Sequence, residues 1–148
     1  MVVALIGDVA QKFAPLCKVL KDGGLDAVVN QPIPDGAVTV LSFAFEEGLT
    51  SGTIKALQAY AGKPLFLHVI LQNEVPENVD PIRLNIATKD LRDCLPDMVS
   101  QQVNDLPFLT SNDPKLVEKI KAIAANPDRA VALHTPKKIQ EDPWWKIF

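Results

Sequence analysis

The sequence predicts a three-layer α/β domain with a mostly parallel sheet of five or more strands. Three observations lead there. Short apolar runs alternate along the whole chain with segments of helical periodicity. Two of the runs, "AVTVLSFAF" at 37–45 and "PLFLHVIL" at 64–71, are apolar almost throughout, as strands covered on both faces are. They are expected near the sheet centre, because an edge strand of that kind would invite aggregation. The length of 148 residues suits one domain, and 47% hydrophobic with 22% charged residues is an ordinary globular balance.

The elements follow in order. "VVALIG" (2–7) is a buried strand closed by Gly-Asp. Phe13, Leu16, Cys17 and Leu20 recur at helical spacing, Pro15 suits a first turn, and "DGG" (22–24) stops the helix. "LDAVVN" (25–30) is a second strand, "QPIPDG" a turn, and 37–45 a third strand. Ser51 is the expected N-cap of a helix carrying Ile54, Leu57 and Ala61 and ending at Gly62. The run 64–71 is the fourth strand. After the loop "EVPENVDP" (74–81), the alternating "IRLNIA" (82–87) reads as a fifth. Thr88 is placed as the cap of a helix with Leu91, Cys94, Leu95, Met98 and Val99 on one side, interrupted at Pro96. "SNDPKLVEKIKAIAANPD" (111–128) is the clearest helix, with Asp113 as cap and Pro114 at its first position. "RAVALHT" (129–135) is a last strand. The layout is that of a Rossmann-like or flavodoxin-like domain spanning 1–148, with an aromatic tail at 136–148.

Composition narrows the function classes. A formal net charge of −3 and a pI near 5.3 argue against a nucleic-acid binder, which needs a Lys/Arg surplus or patch. Cys17 and Cys94 lie far apart and form no CxxC, so they are expected as free thiols on the apolar sides of their helices, in keeping with a reducing compartment. "MVVALIG" lacks the form of a signal segment, and no apolar run approaches the roughly 20 residues that span a bilayer. The expected setting is the cytoplasm, without membrane contact.

In an open α/β sheet, ligands bind outside the carboxyl ends of the strands. Three such ends are candidates: Gly7-Asp8, "FEEGLTSGT" (45–53) and "LQNE" (71–74). The second is the strongest. A helix N-terminus offers unpaired N–H groups to an anion. Gly48 and Gly52 permit close approach, and Ser51 and Thr53 add hydroxyls. The competing reading is a plain helix cap, and the carboxylates of Glu46 and Glu47 count against a phosphate. Gly7, Asp8, Glu46, Gly48, Ser51, Gly52 and Thr53 form the candidate ligand site. Asp8 with Glu46 or Glu47 could also hold Mg²⁺, but a helix-entry cap at Asp8 and a solvated loop at Glu46 and Glu47 compete with that reading, and no metal is expected. The grouping resembles the acidic pocket of response-regulator receivers, for which this chain offers Gly7-Asp8, Glu46 and Thr88-Lys89. His68, within an apolar strand, is expected to be a hydrogen-bonded core residue, and His134 has only Glu141 and Asp142 as acidic neighbours. No P-loop, GxGxxG, HExxH or Ser-His-Asp order is present.

Strand, "GLTSGT", helix and "GKPLFL" together resemble the central unit of the nucleoside 2-deoxyribosyltransferases and of the related Rossmann-like group that includes the LOG-type nucleotide hydrolases and molybdenum-cofactor carriers. Gly52, Thr53, Gly62, Lys63 and Pro64 carry the resemblance, which covers residues 37–71. It implies a nucleotide-like or phosphorylated small-molecule ligand. Where the transferases place a nucleophilic Glu this chain has Ala56, and in place of the carriers' Gly-rich opening it has "IGDVAQ". The resemblance therefore implies binding and assigns no catalytic residue or cofactor.

The carboxyl end raises the alternative of a non-catalytic interaction module. "EDPWWKIF" gathers Trp144, Trp145, Ile147 and Phe148 in the last five positions. Such side chains either fold back over an apolar face or anchor in a partner, a second copy of the chain included.

Overall fold

The computed structural model describes residues 1–60, 65–94, 106–125 and 131–132. Its centre is a five-stranded, all-parallel sheet in the order β2-β1-β3-β5-β6. The strands are β1 (Val2–Gly7), β2 (Asp26–Val29), β3 (Val38–Ala44), β5 (Val69–Asn73) and β6 (Phe108–Thr110). A two-stranded antiparallel ribbon joins β4 (Phe66–Leu67) to β7 (Val131–Ala132). The helices are α1 (Ala14–Asp22), α2 (Ser51–Gln58), α3 (Pro81–Cys94) and α4 (Leu116–Ala124). With the β4–β7 ribbon set aside, the main sheet has the doubly wound, flavodoxin-like order. Of the two runs expected near the centre, 37–45 supplies the central strand β3, and the end of 64–71 enters β5 beside it.

Strand alternation divides the core between two faces. Leu5, Val40 and Leu71 pack with Leu16 and Leu20 of α1 and Leu116 and Ile120 of α4. Ile6, Leu41, Phe43 and Ile70 pack with Ile54 and Leu57 of α2 and Leu91 of α3. This is the three-layer arrangement, with period-2 strands between period-3.6 helices. The connection from β2 to β3 (30–37) has no helix. Its Ile33 joins the α2-side core, the Tyr60 hydroxyl donates to Gln31 O at 2.7 Å, and α2 packs against β1.

Four expectations require correction. The segment 82–87 is helix, not strand. "IRLNIA" alternates, but Asp80 accepts from Ile82 N through its side chain and from Leu84 N through its carbonyl, and Pro81 starts the helix. The inward positions of α3 are Leu84, Ala87, Thr88 and Leu91, a helical i, i+3, i+4, i+7 set, while Ile82 and Ile86 are exposed. Thr88 is accordingly mid-helix rather than a cap. The run 64–71 is not one strand: it breaks at His68, where the chain passes from the β4–β7 ribbon into the main sheet. His68 N donates to Thr39 O, and His68 Nδ1 accepts from Thr39 N at 3.0 Å, so its ring is hydrogen-bonded in the frame as expected. The fifth strand of the main sheet is Phe108–Thr110, a run too short to stand out in the sequence. The fourth correction concerns α4. Asp113 accepts from Lys115 N and Leu116 N as expected of a start signal, but a turn intervenes and Pro114 precedes the helix rather than opening it.

Cys17 is a half-buried free thiol whose pKa burial raises. The Cys94 side chain, the helix end at 61–62, residues 95–99, His134 and the tail with Trp144, Trp145 and Phe148 lie outside the described residues. Among the described residues no helix is long and apolar enough to cross a membrane.

Candidate functional site

The carboxyl edge of the sheet is built from polar side chains that end apolar strands. Gly7 closes β1, and its N–H and C=O are taken by Asn30 Oδ1 and Nδ2 at 3.0 and 2.9 Å, which extends the β1–β2 pairing by one side chain. Asn30 adopts φ 51° to do so, a conformation Asn tolerates. A Cβ on Gly7 would collide with Ser42 O and Gln11 Nε2. Those two groups belong to a buried network: Gln11 Nε2 donates to Ser42 O at 2.7 Å, Ser42 Oγ donates to Gln11 Oε1 at 2.8 Å, and Asn73 Nδ2 reaches Gln11 Oε1 and Lys12 O. Gln11, Ser42 and Asn73 thus lock together the ends of β1, β3 and β5, next to the β1/β3 boundary where strand order reverses.

The β3–α2 turn stands beside this floor. Gly48 takes φ 63°, a left-handed conformation that glycine adopts without strain. The N-cap of α2 is Thr50, not Ser51: Thr50 Oγ1 accepts from Thr53 N at 3.3 Å, and Ser51 is exposed. Thr50 Oγ1 also donates to Asp8 Oδ2 at 2.6 Å, while Asp8 Oδ1 accepts from Ala10 N. The Asp8 carboxylate lies against Gly52 so closely that a Cβ there would overlap it. Thr53 is fully buried beneath. The positive end of α2 therefore already faces an anion, supplied by the chain itself.

Two cavities share Ala44, Glu47, Gly48 and Thr50 as lining. The smaller, of about 400 Å³, is bordered also by Asp8, Ala10, Gln11 and Glu74. Glu74 has φ 58°, unusual for a residue with a Cβ, and its N–H is held by Asn73 Oδ1. The larger, of about 670 Å³, lies between the β3–α2 turn and α3, with Phe45, Leu49 and Leu91 as apolar lining. Glu46, Glu47, Asp90 and Asp93 line it with carboxylates. Glu46 is paired with Arg83 at 2.9 Å, and the Arg83 guanidinium lies over the Phe45 ring. Among the described residues no three His, Cys, Asp or Glu side chains converge to hold a metal ion.

The structure thus gathers Gly7, Asp8, Gly48, Ser51, Gly52 and Thr53 at one edge, with Glu46 on the rim of the larger cavity. Sequence reasoning missed Gln11, Ser42, Asp90 and Asp93; it had Gln72 within the candidate strand end 71–74 and Thr88 as a helix cap and receiver-like match, without assigning either to the ligand site. The available signal was polar residues interrupting or ending apolar strands: Ser42 within β3, and Gln72-Asn73 closing β5 inside the third candidate strand end. Thr88, Asp90 and Asp93 were hidden because they approach the site only when 82–94 is helical.

Compared with known proteins, the chain matches no family model, and no curated protein matches it.

Proposed function

We propose that this protein binds a nucleoside-like small molecule at the carboxyl edge of its sheet, the base in the larger cavity and the sugar toward the smaller one. The observation that carries the reading is the larger cavity. Its volume of about 670 Å³ falls in the range of small-molecule sites, and it sets the apolar side chains of Phe45, Leu49 and Leu91 beside a polar, largely acidic lining. In the smaller cavity the carboxylates of Asp8, Glu47 and Glu74 are acceptors suited to sugar hydroxyls. Of the nucleotide-like and phosphorylated ligands that the sequence implies, this geometry favours the uncharged part. Asp8 already occupies the α2 N-terminus, and the remaining carboxylates repel a phosphate.

Titration of the protein with adenosine, cytidine and their monophosphates tests this by thermal shift. A nucleoside at 100 times its Kd should stabilise the fold by about 2.7 kcal/mol, with the monophosphate weaker. A flat response to all four sinks the reading.

One observation favours a non-catalytic interaction module instead: Ile82 and Ile86, one turn apart on α3, are 67% and 55% exposed. A flat ligand screen together with self-association abolished by Ile82→Lys would select that reading.

A further inference from the structure

We infer that Asp35, in the helix-free link between β2 and β3, is a self-modification site that converts to isoaspartate through the backbone nitrogen of Gly36. The chain contains two Asp-Gly pairs, Asp22-Gly23 and Asp35-Gly36. At such a pair the glycine nitrogen can attack the aspartate side-chain carboxyl carbon. The attack needs that N–H free and no Cβ in its way. The fold treats the two pairs oppositely. At the end of α1, Gly23 N donates to Val19 O at 3.2 Å and to Leu20 O at 3.1 Å. Gly23 is also wedged against α4, since a Cβ there would meet Val117 Cγ1 at 2.5 Å. Gly36 N, by contrast, donates to no group among the described residues. Asp35 and Gly36 are exposed, and a Cβ on Gly36 would point into open space. Among the described residues the turn is closed by one bond, from Ala37 N to Pro34 O at 3.2 Å. Little therefore opposes the backbone rotation that brings the Asp35 carboxyl carbon onto Gly36 N.

The step balances without an enzyme or an oxidant. Gly36 N bonds to Cγ of the protonated Asp35 carboxyl group. The C–OH bond breaks, and the hydroxyl leaves with the amide proton as water, which closes a succinimide ring. Water then adds to one of the two ring carbonyls and breaks its bond to nitrogen. Opening at the side-chain carbonyl regenerates Asp35. Opening at the backbone carbonyl frees the α-carboxylate and routes the chain through the side-chain methylene. The link is then one methylene longer between two fixed points. One is Gln31, whose carbonyl accepts from the Tyr60 hydroxyl, and the other is Ala37, buried at the entry to β3.

The experiment ages the full chain at neutral pH in heavy-oxygen water, folded and in parallel unfolded in urea. Peptides carrying residues 22 and 35 are then isolated by proteolysis. Isoaspartate is recognised by its shifted retention together with one incorporated heavy oxygen. In the folded protein it should accumulate at residue 35 at least about tenfold faster than at residue 22, because freeing the Gly23 N–H costs its hydrogen bonds. In urea the two rates should converge. Asp35→Glu, whose longer side chain closes the imide ring far less readily, should lose the signal at 35 and leave that at 22 unchanged. Folded protein without isoaspartate at 35, or with equal rates at both sites, overturns the inference. A difference that persists undiminished in urea also overturns it, since flanking sequence rather than the fold would then set the rate.

Discussion

The carboxylate of Asp8 occupies the space where a side chain on Gly52 would begin. The turn that resembles a phosphate cradle is therefore a socket for an acid from the neighbouring strand end, joined by the Thr50 hydroxyl bond. Gly52→Ala should cost about 1–3 kcal/mol, as overpacking at a filled position does. In an Asp8→Ala background the same change should cost little or be stabilising, because alanine suits a helix better than glycine by about 1 kcal/mol. Chemical denaturation of the four variants gives the coupling. Additive single effects would show that the two residues do not share that space.

Thr50→Ala removes both the N-cap acceptor and the Asp8 partner, whereas Ser51→Ala removes an exposed hydroxyl with no cap bond. The first should lower stability by about 1–2 kcal/mol and the second by under about 0.5. Urea midpoints measured side by side check the order, and the reverse order would restore Ser51 as the cap.

Thr88→Val keeps the side-chain volume but strips Gln72 Nε2 of its acceptor. A loss of about 1–3 kcal/mol is expected, the cost of an unsatisfied buried donor. Thermal unfolding that matches the native protein would mean that the Gln72 amide finds another partner.

The Lys119 ammonium, hydrogen-bonded to the Asp113 carboxylate, together with the Lys115 N–H, holds the Asp113 pKa below the usual carboxylate range. Because the folded value is depressed, the associated stability is present above the unfolded pKa of about 3.9 and is lost as pH falls through the lower folded value. Lys119 is half exposed, so the contribution is about 0.5–1 kcal/mol at most. Asp113→Asn should be less stable than the native protein at neutral pH, and the gap should close in strong acid. A gap that persists there would assign the loss to something other than charge.

Sequence pattern located β1 and β3 because both of their faces are buried along nearly the whole run, β2 because turn residues bound a short apolar run, and α1 and the inward face of α4 because each buries one helical stripe. It failed where a local signal opposed the pattern. At 82–87 the alternation of Ile82, Leu84 and Ile86 mimics a strand, yet the Asp80-Pro81 start fixes a helix and leaves two of those three side chains in water. At 64–71 the apolar run is continuous, and only the pairing of His68 with Thr39 divides it between two sheets. The candidate site was legible as a place, since strand ends and glycines mark it. Its chemistry was not, because the Asp8–Gly52 contact and the Gln72–Thr88 relay join residues 44 and 16 positions apart.

The helix-free link between β2 and β3 has a consequence for synthesis on the ribosome. In most doubly wound domains each crossover brings its own cover, so successive units can settle as they emerge. Here α1 covers the Leu5 face of β1 at once, but the cover over its Ile6 face is α2, which is translated after β3. The first 45 residues can pair three strands yet leave Ile6, Leu41 and Phe43 without Ile54 and Leu57 against them. A nascent chain arrested in that interval would carry a bare apolar face and be a client for a chaperone, a state that ends once the segment through Tyr60 has cleared the exit tunnel.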